Sequence, residues 1–327
     1  MTGITLTRRG LAAGLATSLL PWRAAWAAWP EAPIKWIVAY AAGGGTDTLA
    51  RLIGAAMSSS LGRPVVIDNR PGAATNIGAE AAAKAAPDGY TVFTADNGTL
   101  VFNPALFRNL PYNPERDFRP VGAFARFHLV LAVRKSSDFS DVKSFIAAGK
   151  ERQGRIDYAS PGIGSPHHLT MERLARSTGA RFNHIPYRGA APALNDLIAG
   201  TVESTVIDYA SGGEALRSGM VRPLAIFSNQ RLAALPDVPT VTEALGLERF
   251  EAYAWQSLVV PKATPDPIVA RLTQELQAAV GQESVQKRMR EIGLEPLQSG
   301  PEEVQALLAA ERAVWVPLIR ELGITLD

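Results

Sequence analysis

The sequence contains no cysteine. That single absence excludes disulfide scaffolds, zinc ribbons, iron–sulfur centres and thiol nucleophiles together. It assigns no compartment, because a chain of 327 residues can bury a core large enough to do without disulfides. Net charge is nearly absent as well: 33 Lys and Arg stand against 31 Asp and Glu, leaving +2. A strongly basic nucleic-acid binder is thereby excluded. Nowhere do about 18 apolar residues run uninterrupted, so no membrane-spanning helix is expected and the mature chain should be soluble. No period of roughly 20–50 residues repeats. At roughly 100–200 residues per domain, the length favours two domains.

What charge there is lies unevenly. Residues 1–27 carry Arg8, Arg9 and Arg23 and no acidic residue. Arg8 and Arg9 precede a short apolar stretch from Gly10 to Leu20, and Ala25-Trp26-Ala27 supplies the small-x-small pattern of a signal-peptidase site. This predicts an export signal, by the Sec or the twin-arginine route, cleaved near Ala27 with delivery to the periplasm. Removing its three arginines from 33 leaves 30 basic residues against 31 acidic ones, so the mature chain is close to −1.

The remainder alternates short β-rich runs with helical ones. Strands are expected at Ile34–Tyr40, Val65–Asp68, Thr91–Thr94, Leu129–Val133, Ile156–Ser160, Val202–Ile207, Leu224–Phe227 and Leu258–Val260. Helices are expected at Thr48–Ser60, Asn76–Ala86, Asp141–Lys150, His168–Thr178, Pro192–Ala199, Pro267–Val280, Ser284–Ile292 and Pro301–Leu322. That alternation predicts an α/β chain whose parallel sheets are covered by helices on both faces.

Three glycine-bearing segments share one design. Ala39 to Asp47, Asn69 to Asn76 and Ser160 to His168 each leave a strand, pass through glycine and enter a helix with a Ser or Thr placed to cap it. In the third, Ser165 as N-cap before Pro166 at the first helical position is a favoured pairing, since proline lacks an N–H that would be unpaired there anyway. Ends of this kind lie at the carboxyl edge of a parallel sheet, where ligands bind, and converging helix N-termini hold an anion without any basic side chain. One such loop is more often only a tight turn; three together point to a site.

Catalytic templates fit poorly. Neither Gly43-Gly44-Gly45 nor Gly162-Ile163-Gly164 completes a dinucleotide loop, Gly149-Lys150 leads into Glu151 rather than a phosphate loop, and no Gly-x-Ser-x-Gly elbow occurs. The histidines are His128, His167, His168 and His184. Adjacent His167 and His168 point to different helix faces, so they are not expected to share a metal, and with neither a dinucleotide nor a phosphate loop no cofactor is expected. A hydrolase built on Ser165, His168 and an acidic residue stays formally open, because such triads need only proximity in space.

Taken in order, the segments resemble the Bug family of periplasmic receptors of tripartite tricarboxylate transporters. The resemblance rests on Ile37 to Arg51, Val66 to Ala73, Pro87 to Thr91, Tyr112 to Phe118, Tyr158 to Ser165 with His168-Leu169, Ile185 to Gly189, Pro223 to Ala225, Leu235 to Thr240, and Glu243. It implies a two-lobed Venus-flytrap fold of the periplasmic binding protein type 2 kind, each lobe a mainly parallel sheet flanked by helices. Lobe one would comprise residues 28–129 and 258–327, and lobe two 130–257, with crossovers near Val130–Val133 and Gln256–Val259. The implied function is non-enzymatic capture of a small carboxylate for a membrane permease, with a sensor partner as the alternative; a monomer is expected. By position, Tyr40, Gly44, Thr46 and Asp47 would line loop one and Ala74, Thr75 and Asn76 loop two. Asn97 would lie near the cleft, Ser160, Gly164, Ser165 and His168 would clamp from lobe two, and Tyr187, Arg188, Gly189 and Asp208 would surround the distal end. Departures are informative: the family's Pro-Phe-Pro-Pro-Gly-Gly is Ala39-Tyr40-Ala41-Ala42-Gly43-Gly44 here, and its Gly-Gly after Pro-Gly-Ala is Ala74-Thr75, whose β-carbons should narrow the pocket. Ser257 replaces the glycine expected two residues after Trp255. Arg188 and Asp208 could also pair with each other.

Overall fold

The computed structural model describes residues 29–248 and 250–326. The expected export signal lies outside them. Ten strands build the architecture: β1 (Ile34–Val38), β2 (Val65–Asn69), β3 (Thr91–Asp96), β4 (Phe118–Arg134), β5 (Asp157–Ser160), β6 (Asn183–Pro186), β7 (Ser204–Asp208), β8 (Val221–Ile226), β9 (Tyr253–Pro261) and β10 (Leu294–Pro296). They follow the order β2-β1-β3-β9-β4-β7-β5-β6, with β8 and β10 also on β4.

The long strand β4 belongs to both halves. Its residues from Phe118 to His128 pair antiparallel with β9, and those from Leu129 to Arg134 pair antiparallel with β7 and β8. The change of partner therefore falls at His128/Leu129. The return crossing falls just before Tyr253, where the Ala252 N–H still donates to Phe227 O at 2.8 Å. Each half has a parallel heart, β2-β1-β3 in one and β6-β5-β7 in the other. The antiparallel ladders come from β4 and β9, the strands that carry the chain between halves. Each sheet is thus mixed, because a chain that crosses and returns must run one way out and the other way back.

Strand periodicity decides what each side chain meets. On β1, Ile34, Trp36 and Val38 join the cluster of Leu49, Ile53 and Met57, while Ile37 faces the opposite cluster with Phe93. The helix Gly45–Leu61 supplies the first partner because Leu49, Ile53, Met57 and Leu61 repeat at four-residue spacing along one face. Complete burial stabilises each such side chain by about 1.5–3 kcal/mol relative to exposure. On β4 the same alternation sends Val130 and Ala132 to a third cluster in the second half, and Leu129, Leu131 and Val133 to the cluster they share with Phe93.

One contact set ties the halves together behind the sheet. The helix Pro301–Leu322 packs on β4 and on the helix Pro166–Thr178. Glu311 on that helix accepts from the indole N–H of Trp255 at 3.2 Å and of Trp315 at 3.1 Å. From the second half, the Arg173 guanidinium lies over Phe250 at 4.4 Å and donates to Glu251 O. Burial raises the Glu311 carboxyl to about 7 despite both indole donors. Among the described residues no helix is long and apolar enough to cross a membrane.

Candidate functional site

Between the halves lies a cleft of about 750 Å³. Five helix N-termini open onto it. The wall includes Gly45 and Thr46 of the helix Gly45–Leu61, Thr75 at the head of Asn76–Ala83, Pro166 and His167 of Pro166–Thr178, Ala190 of Ala190–Ala199, and Ala210 and Ser211 of Tyr209–Arg217. First-turn N–H groups have no intrahelical acceptor, and the helix dipole places partial positive charge at the same ends. No lysine or arginine is among the described residues of the wall. The cleft can therefore hold an anion by backbone alone, each helix end contributing about 0.3–1 kcal/mol and up to about 2 where partly buried.

Loop one shows a division of labour. Tyr40 and Thr46 line the cleft. The Tyr40 hydroxyl donates to Asp96, and burial together with that carboxylate pushes the phenol well above its ordinary range. Thr46 does not cap its helix; Gly44 occupies the cap position without a side-chain bond, and the Thr46 hydroxyl instead accepts from the Gln256 amide. Asp47 turns out of the cleft. Its buried carboxylate takes the Gly43 N–H at 2.8 Å, Asn69 Nδ2 at 2.9 Å and Arg51 Nε at 3.0 Å, so it shapes the loop and touches no part of the wall. Gly44 itself is exposed just beyond the wall.

Loop two carries backbone strain. Ala73, Ala74 and Thr75 have φ of 46°, 48° and 76°, three successive non-glycine residues in left-handed conformation. For a β-branched residue this is a genuine outlier. Thr75 is no cap either: its hydroxyl meets the Thr99 hydroxyl at 2.9 Å. A buried amide clamps the loop from beneath, with Asn103 Nδ2 donating to Ala74 O at 2.7 Å and to Asn76 Oδ1 at 2.9 Å. Ala74 and Thr75 line the cleft, whereas Asn76 is spent on the clamp. Asn97 also lines it, and its Nδ2 donates to Tyr253 O at 3.0 Å, tying β3 to the start of β9.

In loop three the expected cap is present: Ser165 Oγ accepts from the His168 N–H at 3.2 Å. Gly164 adopts φ 74°, a left-handed conformation that favours glycine, and a β-carbon there would displace the Leu106 side chain of the first half, 2.6 Å away. Gly164 and Ser165 line the cleft; Ser160 and His168 do not. His168 Nδ1 accepts from the Gly164 N–H at 3.0 Å, and its ring stacks on His184 at 3.9 Å, which stacks on Tyr158 at 4.9 Å. Burial, with His184 beside it, holds His168 down to about 3; burial holds His184 to about 4. Ser160, fully buried, meets His184 Nε2 at 2.7 Å beneath the loop.

At the distal end Gly189 and Asp208 line the cleft. Tyr187 donates instead to Asp196 at 2.6 Å, and Arg188 is exposed outside the wall. Asp208 does not pair with Arg188. Its oxygens take the Ser211 N–H at 2.7 Å, the Ser211 hydroxyl at 2.8 Å and His167 Nε2 at 3.3 Å. Burial pushes this carboxyl up, but the His167 and Ser211 donors outweigh it and the group stays below its ordinary range. Among the described residues no three His, Asp or Glu converge as a metal site.

Among the wall residues that escaped sequence reasoning, Asp96, His167 and Gln256 carry polar groups that bear on the ligand. Asp96 closes β3 one residue before Asn97, and an acid at the carboxyl end of a parallel strand was the available signal. His167 was legible only as a free N–H at the helix start, and nothing in the sequence turns its ring onto Asp208. Gln256 lies on a strand whose facing could not be read without its partners.

Comparison with known proteins places this geometry. A family model described as "Tripartite tricarboxylate transporter family receptor" matches residues 49–324. Protein BugT of Bordetella pertussis is 34% identical over 322 residues, covering 98% of this chain and 96% of its own. Among solved structures, R. palustris Rpa4515 with adipate is 35% identical with a TM-score of 0.82, covering 91% of this chain and 99% of that one. MatC from Rhodopseudomonas palustris with bound malate is 34% identical with a TM-score of 0.78, over 89% of this chain and 100% of that one.

Proposed function

Because the chain belongs to the tripartite tricarboxylate transporter receptor family, we propose that it is a periplasmic receptor that captures a small organic acid between two lobes and delivers it to a transporter of that type. One observation carries the reading: five helix N-termini meet in one cleft, and no lysine or arginine is among the described residues of its wall. Lobe one is residues 28–128 with 253–327 and lobe two is 129–252, the return falling at Tyr253 rather than near residue 257 because β9 pairs with β3 and β4 of the first half, and the segment up to Ala27 is removed on export. The receptor acts as a monomer. Tyr40, Thr46, Ala74, Thr75, Asn97, Gly164, Ser165, Gly189 and Asp208 form the ligand wall, and the ligand's carboxylate sits on the helix ends. Ligand binding favours the closed arrangement over the open one, and the closed pair of lobes is the form a permease recognises.

The chain performs no chemistry on its ligand. Ser165 Oγ serves a backbone N–H, and His168, held neutral in a ring stack, accepts from Gly164 rather than from a serine. An imidazole at about 3 is a poor base near neutrality. The test is a thermal-shift and small-angle scattering screen of residues 28–327 against monocarboxylates, dicarboxylates, amino acids and carboxamides. A saturable rise in melting temperature with compaction is expected for at least one acid. Silence across the screen, or turnover of a bound acid, would overturn the reading.

A further inference from the structure

The cleft holds an asymmetry that backbone anion binding leaves unused. Its two carboxyl groups, Asp96 and Asp208, face it from opposite lobes, and no lysine or arginine is among the described wall residues. Asp96 is 7% exposed and accepts from the Thr99 N–H at 2.7 Å, the Thr99 hydroxyl at 2.9 Å and the Tyr40 hydroxyl. A carboxylate offers about four lone-pair positions, so one remains on Asp96 after three donors. Asp208 likewise has three donors, Ser211 twice and His167.

Two further wall groups are buried with an unmet polar atom. Gln256, 4% exposed, spends one end of its amide on Thr46 and leaves the other end unpaired. His167, 8% exposed, has an unpartnered Nδ1. Asp208 accepts from His167 Nε2, and the other ring nitrogen is left without a partner. Unmet buried polar atoms are costly, and here a ligand is the group positioned to meet them.

Resting on the receptor reading above, we propose that the ligand carries one carboxylate and, at its other end, a hydrogen-bond donor such as an ammonium or a primary carboxamide. Asp96 is the residue that selects it. The helix ends take the single carboxylate, while Asp96, with its spare acceptor position, takes the donor. A second carboxylate at that end would face a like charge with no cation between. The site therefore differs in preference from relatives solved with adipate or malate.

The test is calorimetric titration of residues 28–327 with matched acids of four to seven carbons. Within each length only the far end changes, through carboxylate, ammonium, carboxamide and methyl. Wild type is expected to bind an ammonium or carboxamide member at least about tenfold more tightly than the dicarboxylate of the same length, the discrimination that one charge-assisted hydrogen bond provides. In Asp96→Asn, which keeps an acceptor for Thr99, the ammonium preference should fall by about tenfold or more while the dicarboxylate gains. Asp96→Ser serves as the second variant, and circular dichroism establishes that both are folded. Tighter dicarboxylate binding by wild type, or an ammonium preference that survives both folded variants, overturns the assignment while leaving the receptor reading intact. Silence for every member overturns both.

Discussion

The strained loop makes a stability prediction that runs against intuition: Ala74→Gly should stabilise the unliganded protein. Ala74 sits at φ 48° and ψ 49° with a side chain that makes no hydrogen bond. A left-handed conformation costs a non-glycine residue about 1–2 kcal/mol. Glycine's greater freedom in the unfolded chain takes back roughly 0.4–1 kcal/mol. The difference is a net gain of about 0.5–1 kcal/mol, which for a chain of this size raises the melting temperature by roughly 1–2 °C. Differential scanning calorimetry resolves this when paired with Ala310→Gly, an exposed alanine inside the helix Pro301–Leu322. There the same chemical change should lower stability by about 1 kcal/mol. Opposite signs at the two sites are the expected outcome; a fall of similar size at both would refute the claim that the left-handed backbone at Ala74 is strained. Thr75→Gly should be closer to neutral, because relief there is offset by loss of the hydroxyl contact to Thr99.

Other outcomes follow from the same structure. Asn103→Ala removes the buried amide that holds Ala74 O and Asn76 Oδ1, and should cost about 1–3 kcal/mol by denaturant unfolding; no loss would mean the loop holds its shape unaided. Glu311 is raised from 4.5 to about 7, so ionising it opposes folding. Stability from this site is fully present below about pH 4.5 and is lost as pH rises through about 7, with an upper limit near 3 kcal/mol. Glu311→Gln keeps an acceptor for both indoles and should flatten the decline in melting temperature between pH 5 and 8. An equally steep decline in the variant would place the titration elsewhere.

Legibility varied with how local the determining physics is. The helix Gly45–Leu61 could be read because its apolar spacing is its own, and the cap of Pro166–Thr178 because Ser165 and Pro166 are adjacent. Thr46 and Thr75 occupy similar places in similar loops, yet neither caps. The first is drawn to Gln256, 210 positions away, and the second is turned by its left-handed backbone toward Thr99. The strand β6 is four residues long and exposed or half-buried throughout, so it carries no apolar pattern of its own. The first part of β4 contains Pro120 and Gly122, which read as turn residues until β9 is placed beside them, with breaks in register near each. The helix ends of the cleft were visible in outline. Of its two acids Asp208 was named and Asp96 was not, because whether Asp47 or Asp96 faces the cavity depends on Asn69 and Arg51 claiming the former.

That β4 is one unbroken strand shared by both halves also bears on how such receptors can diversify. A segment exchange between relatives that carries the second half alone must cut the sheet in mid-strand, at His128/Leu129, where β4 passes from β9 to β7 and β8. The cleft loops at 39–44, 71–75 and 161–165 lie outside β4, so they can be exchanged between relatives without cutting the strand that both halves share.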